Sequence, residues 1–148
     1  NYNIMQNEKI RQAEPKDLSD IMRLETQFGS DAFPAREFKK RFGSYLFKVL
    51  EIDSAIVGYY LVLTRKNTRS FRIYSICVDE SWHGSGYGKA LMRDIISQCG
   101  PRANIRLEVA WDNEIAKKLY ASFGFKYTNV LSDYYGDGRN GVQMSLTT

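Results

Sequence analysis

The sequence predicts a mixed α/β sheet, and three observations carry that prediction. Three successive runs rich in Val, Ile, Tyr and Phe, joined by short polar turns, read as an antiparallel meander. An amphipathic helix then stands between two strand-like runs, the pattern of a parallel β-α-β crossover. A further helix and two more strands close the chain, for about six or seven strands and about four helices in all.

Taken in order, Ile10 to Ala13 reads as a short strand, and Pro15 opens a helix whose apolar stripe is Leu18, Ile21, Met22 and Phe28. Glu25 interrupts that stripe. It either points into solvent or faces a cleft for a cationic substrate, which makes it a candidate substrate-binding residue. Ala35 to Phe42 forms a second short helix, and the meander runs through Leu46 to Ile52, Ile56 to Leu63 and Arg72 to Val78, with turns at Asp53-Ser54 and Asn67. From Gly86 to Cys99 the apolar residues Leu91, Met92, Ile95, Ile96 and Cys99 recur at helical spacing, and Gly100-Pro101 supplies the stop.

Ile105, Leu107 and Val109 alternate with Arg106 and Glu108 as a strand. Asp112 or Asn113 can cap a helix carrying Ile115, Ala116, Leu119, Tyr120 and Phe123, which Gly124 ends. Phe125 to Leu131 and Val142 to Leu146 are the last strands, joined by a Gly- and Asp-rich loop. With no repeat, low-complexity tract or linker, residues 1–148 parse as one domain. Open α/β sheets bind ligands beyond the carboxyl ends of their strands, so the chemistry is expected near Val78 and Val109.

Composition narrows the chemistry. The chain is 43% hydrophobic and 14% aromatic, far from the signature of disorder. No apolar run approaches the roughly 18 residues of a membrane span, and the polar start, Asn1 to Lys9, lacks the apolar segment of a signal peptide. The expected compartment is the cytosol, without membrane association. Cys77 and Cys99 lie inside apolar stretches and read as buried thiols. With one histidine, His83, neither a zinc site nor a histidine-centred triad assembles, so no metal is expected. The net charge of +4 is modest; the cluster Arg65, Lys66, Arg69 and Arg72 reads as a solvated hairpin, and nucleic-acid binding is not expected. Oligomeric state has no signature here.

The most informative segment runs from Asp79 to Lys89 and places glycines at 84, 86 and 88. Alternating glycines let a ligand approach the backbone, and a helix N-terminus offers N–H groups and partial positive charge to a diphosphate. Three fingerprints compete for this loop. A Walker loop needs Gly where His83 stands and Ser or Thr where Ala90 stands. A Rossmann fingerprint needs a third glycine at Lys89 or Leu91 and a different strand order upstream. What remains is a G-x-G pair, Gly86 and Gly88, ahead of an apolar helix.

That pattern resembles motif A of the GNAT acetyltransferases, with His83 at the position usually held by Arg or Gln. Ile76-Cys77-Val78 looks like the family strand that pairs with the pantetheine arm. Asn113, Leu119-Tyr120 and Gly124-Phe125 look like its second motif. Leu107-Glu108-Val109, Tyr120, Phe33-Pro34 and Tyr134-Tyr135 resemble more closely the RimI-like protein N-terminal (ribosomal-protein alanine) acetyltransferases.

The resemblance implies a GNAT fold and acetyl-CoA as cosubstrate, held by Ile76, Cys77, Val78, Gly84, Ser85, Gly86, Tyr87, Gly88, Lys89 and Asn113. Asn113 is equally suited to capping its helix. It implies direct attack of a primary amine in a ternary complex, with Glu108 as general base, directly or through water, and Tyr120 as general acid. A backbone N–H near Val78 is the expected oxyanion donor. A rival route through an acetyl-Cys77 lacks a histidine partner. Phe33, Tyr134 and Tyr135 join Glu25 as candidate acceptor-site residues, the tyrosines either walling that site or packing against the meander.

An α-amine, with a reference pKa of about 7.7 to 8 against about 10.4 for lysine, is the easier acceptor at neutral pH. A protein or peptide N-terminus is therefore the expected substrate. The alternatives are an enzyme for a small amine, such as an amino acid or polyamine, and a non-catalytic acetyl-CoA sensor.

Overall fold

The computed structural model describes residues 7–148. Of the polar start read at Asn1 to Lys9, residues 1–6 lie outside the described part. Seven strands and four α-helices form among the described residues, and the strands order β1-β2-β3-β4-β5-β7-β6. The chain divides into two compact units: the residues through Leu61 with Ser75–Met92, and Val62–Tyr74 with Arg93–Thr148.

Strand β1 (Glu8–Gln12) pairs antiparallel with β2 (Phe47–Ile52), and β2, the first run of the predicted meander, pairs antiparallel with its second, β3 (Ala55–Thr64). A 3₁₀ turn at Pro15–Asp17 leads into α1 (Leu18–Glu25), and α2 (Ala35–Lys39) follows. Ile21, Leu24 and Phe38 are fully buried with Phe47 and Tyr59, and Phe38 lies edge-on to Tyr59 at 5.8 Å between centroids. Phe28 does not extend the stripe as the sequence predicts: it is 41% exposed. The reason is local, since Thr26–Asp31 tightens to 3₁₀ geometry and Gly29, at φ 59°, leaves the helical region and breaks the periodicity.

In the second unit the amino-terminal part of β4 (Ser70–Val78) pairs parallel with β5 (Asn104–Ala110), from Ser70↔Asn104 to Ile73↔Leu107. On its other edge β5 pairs antiparallel with β7 (Gly141–Thr147), which pairs with β6 (Lys126–Leu131). Helix α3 (Tyr87–Cys99) connects β4 to β5. Arg69, read from sequence as part of a solvated hairpin, instead caps the end of α3: its Nη2 donates to the carbonyls of Cys99 and Pro101.

In α4 (Glu114–Ser122) the predicted apolar stripe is corrected at Ile115, which is 86% exposed. Lys117 takes the buried side in its place. Its ammonium donates to the Trp111 carbonyl at 2.5 Å, pairs with Glu114 at 2.8 Å and lies 4.5 Å from the Trp111 ring centroid.

A bidentate pair secures the entry to α1. Arg11 donates to both oxygens of Asp17, at 2.8 and 2.9 Å, and the Glu14 N–H donates to Asp17 at 2.8 Å. Burial alone would raise the Asp17 carboxyl, but the Arg11 and Glu14 hydrogen bonds and the Arg11 charge outweigh it and hold the group below the ordinary carboxylate range. Because the folded value is depressed, this stabilisation is complete above the unfolded value of about 4 and is lost as pH falls through the folded one. Asp17→Asn removes the bidentate charge partner of a half-buried Arg11, which keeps Glu51 at 3.5 Å, and is expected to cost about 2 kcal/mol, roughly 6 °C in Tm. Thermal melts at pH 7 and pH 3 check this: the gap between wild type and variant narrows at pH 3.

Candidate active site

The candidate residues fall in both units. In the first, β4 ends at Val78 and a 3₁₀ turn at Glu80–Trp82 leads into the glycine loop. Gly84 and Gly86 adopt φ of 83° and 85°, which other residues take only under strain. A Cβ added at either would meet nothing within 4 Å, so the loop is open where its backbone is most accessible. Helix α3 begins directly after it, at Tyr87, and the first N–H groups of a helix lack intrahelical acceptors. Open glycine backbone and a helix start together fit the diphosphate of a coenzyme.

His83 stands just before this loop, and its Nε2–H donates to the Val78 carbonyl at 2.8 Å. The same carbonyl accepts from Gln27 Nε2 at 3.2 Å, while Gln27 Oε1 accepts from the Glu80 N–H at 3.0 Å. The Asp79 N–H is committed to the Val57 carbonyl at 2.8 Å. Gln27 is thus a positioning residue of the β4 terminus that sequence reasoning missed, since nothing in its own segment signals a partner some fifty positions away.

Glu25 takes neither place read for it from sequence. It is 1% exposed, and its carboxylate accepts from the Tyr59 hydroxyl, from Ser75 Oγ at 2.9 Å and from the Phe33 N–H at 2.9 Å. Three donors account for the burial of a group that would otherwise be strongly disfavoured. Burial, then the Glu25 charge, pushes the Tyr59 phenol well above its ordinary 10, so it stays a donor. Phe33 therefore meets Glu25 through its backbone.

Cys77 lies beside this network. Its thiol is 3.3 Å from Gln27 Nε2 and 3.5 Å from the Leu24 carbonyl. Burial first, then the charges of Glu25 and Asp79, pushes it up to about 12. Cys99, also buried, is pushed up to about 11. Among the described residues no group of His, Cys, Asp and Glu is arranged to hold a metal.

In the second unit Glu108 lies on the half-exposed face of β5, opposite the buried Ile105, Leu107 and Val109. Arg72 Nε donates to Glu108 Oε2 at 3.0 Å, and Arg72 Nη2 donates to the Tyr134 hydroxyl at 3.3 Å. One guanidinium thus joins the predicted base to the predicted acceptor wall. Burial works against the Arg72 charge, but Glu108 more than offsets it and holds the group above its ordinary value. Glu108 Oε1 has no partner among the described residues. Tyr134 and Tyr135 meet edge to face at 5.0 Å, and Tyr134 is 43% exposed. Tyr120 is buried on α4 beside Phe125, with ring centroids 6.0 Å apart. Asn113 caps α4, its Oδ1 accepting from the Ala116 N–H at 3.1 Å. The Arg72–Glu108 pair escaped sequence reading, although the expected parallel pairing of these two strands was the signal for it.

The family profile of the acetyltransferase (GNAT) domain matches residues 6–148. An uncharacterized N-acetyltransferase of Methanocaldococcus jannaschii is 29% identical over 140 residues, 91% of this chain and 88% of that protein. An N-alpha-acetyltransferase of Sulfurisphaera tokodaii is 27% identical over 152 residues, 93% of this chain and 91% of that one. The crystal structure of Ard1 from Thermoplasma volcanium superposes with a TM-score of 0.86 at 29% identity, covering 95% of this chain and 97% of that one.

With its thiol near 12, Cys77 is thiolate in only about one molecule in ten thousand at pH 8. Iodoacetamide is therefore expected to label the native chain very slowly at pH 8 and the denatured chain quickly, and Cys77→Ala is expected to keep its acetyltransferase activity. Rapid native labelling at Cys77, found by peptide mass analysis, would contradict this account of the thiol.

Proposed function

The chain belongs to the GNAT acetyltransferases, and we propose that it acetylates the α-amine of a protein or peptide N-terminus. It is an acetyl-CoA-dependent N-acetyltransferase. Acetyl-CoA, when bound, supplies an acyl group already activated as a thioester. The glycine loop, Gly84 to Lys89, would hold its diphosphate, and Ile76 to Val78 would offer backbone groups to its pantetheine arm. Glu108 would take the proton of the acceptor ammonium on Oε1, the oxygen that Arg72 leaves free. Tyr120 would give its phenol proton to the departing sulfur. A backbone N–H near Val78, other than that of Asp79, would face the developing oxyanion.

The Arg72 bridge is the observation that carries the acceptor reading. It sets a carboxylate and the Tyr134 ring beside each other at a wall that is open rather than enclosed. Sites for small molecules bury most of the ligand, whereas an acceptor that continues as a polypeptide needs an exit. Similarity to an N-alpha-acetyltransferase and to Ard1 over nearly the whole chain points the same way. A lower α-amine pKa makes such an acceptor the easier one to deprotonate at neutral pH.

Thiol release from acetyl-CoA against N-terminal peptides, lysine peptides, amino acids and polyamines tests this reading. Turnover confined to peptides with free N-termini is the expected result; preference for a free amino acid or polyamine would replace it with the small-amine reading. Glu108→Gln is expected to lower kcat by about 100-fold while acetyl-CoA affinity stays within about twofold. Unchanged kcat would assign the base to another group.

A further inference from the structure

The second unit has an open groove of about 440 Å³ lined by Leu63, Thr64, Arg65, Ser70, Arg72 and Arg106. Its charge is unbalanced. Arg72 and Arg106 are register partners in the parallel ladder, so two like-charged side chains leave adjacent strands on one face, an arrangement that repels. Only Arg72 has a carboxylate partner, Glu108. Among the described residues Arg65 and Arg106 have none, and no acidic side chain lines the groove.

We propose that this groove binds a carboxylate side chain of the acceptor polypeptide, downstream of the amine to be acetylated. Three features select that occupant. Arg72 belongs to the groove and to the Glu108–Tyr134 cluster, so a ligand in the groove is continuous with the proposed acceptor site. Arg106 and Glu108 are two residues apart on one face of β5, about 7 Å along the strand, which matches about two residues of extended peptide. An acidic residue at about the third to fifth position of the acceptor would thus meet the guanidinium forks, which suit carboxylates. Nucleic acid fits less well, because the lining offers no aromatic platform for bases and the chain carries only +4 net charge.

This inference rests on the peptide-acceptor reading, and its test separates the two. Pentapeptides with free N-termini, carrying Glu at positions three to five or Gln in its place, are compared by kcat/KM in low salt and in 0.5 M salt. The acidic peptide is expected to lead by roughly fivefold in about 0.05 M salt, with most of that lead lost at the higher salt. The ratio should fall to about one in R65Q/R106Q and survive in part in R65K/R106K. Because the Gln variant removes mutual repulsion, its Tm should be no lower than that of wild type. A ratio near one in wild type, or a ratio that survives R65Q/R106Q, overturns the groove assignment.

If amino acids or polyamines are acetylated and no peptide is, the acceptor reading has failed. The groove is then judged by calorimetry with the acidic pentapeptide already N-acetylated. Affinity lowered about fivefold in R65Q/R106Q upholds an acidic-peptide site, and equal affinity overturns it. Displacement of that peptide by a short oligothymidylate at lower concentration would reassign the groove to nucleic acid.

Discussion

A buried carboxylate organises the first unit. Glu25 closes α1, and its three donors come from the segment before α2, from β3 and from β4. A polar group with so little exposure is tolerable only when its hydrogen-bonding sites are filled, so the three donors are held in place by the same requirement. Ser75 is one of them, and three residues later β4 ends at Val78, whose carbonyl is fixed by Gln27 and His83. The position of the glycine loop thus follows from polar satisfaction in the interior as much as from the loop's own sequence.

The second unit solves a different electrostatic problem. Three arginines share one region with a single glutamate, and Arg72 is the member that binds it. Its fork is already divided between Glu108 and Tyr134, which fixes the carboxylate and the phenol relative to each other. Such an arrangement keeps Glu108 in place while leaving positive charge at Arg65 and Arg106 for a ligand. A cluster built this way is preorganised at Glu108 and electrostatically unsatisfied beside it.

Elements with strong local signals were legible in the sequence. Alternation at Ile105, Leu107 and Val109 gave β5, helical spacing at Leu91, Met92 and Ile95 gave α3, and a cap at Asp112 or Asn113, which the structure resolves to Asn113, announced the start of α4. Gly86 was legible ahead of α3 because positive φ has few other solutions, whereas Gly88, paired with it in the sequence reading, lies inside the first turn of that helix. What failed to show was pairing across the fold. Glu25 looked like a break in a stripe because its donors, at 33, 59 and 75, are scattered along the chain. Arg69 and Arg72 looked like equivalent members of a basic hairpin, yet one caps α3 and the other binds Glu108, a difference set by register and strand face. Phe28 continued a periodicity that the backbone had already left, and Ile115 lies on the exposed side of α4, where Lys117 takes the buried place.

His83 bears on how this loop tolerates departure from the family pattern it resembles. An Arg or Gln there could contribute its own side chain to a phosphate, but the imidazole is turned back onto the Val78 carbonyl. The side chain therefore fastens the start of the loop to the end of β4. Under the proposed reading, recognition of a diphosphate falls to backbone groups, whose direction is set by the positive φ of Gly84 and Gly86 and by the start of α3. Backbone recognition of that kind depends on conformation rather than on side-chain identity. A histidine can then replace the usual residue while both glycines must stay.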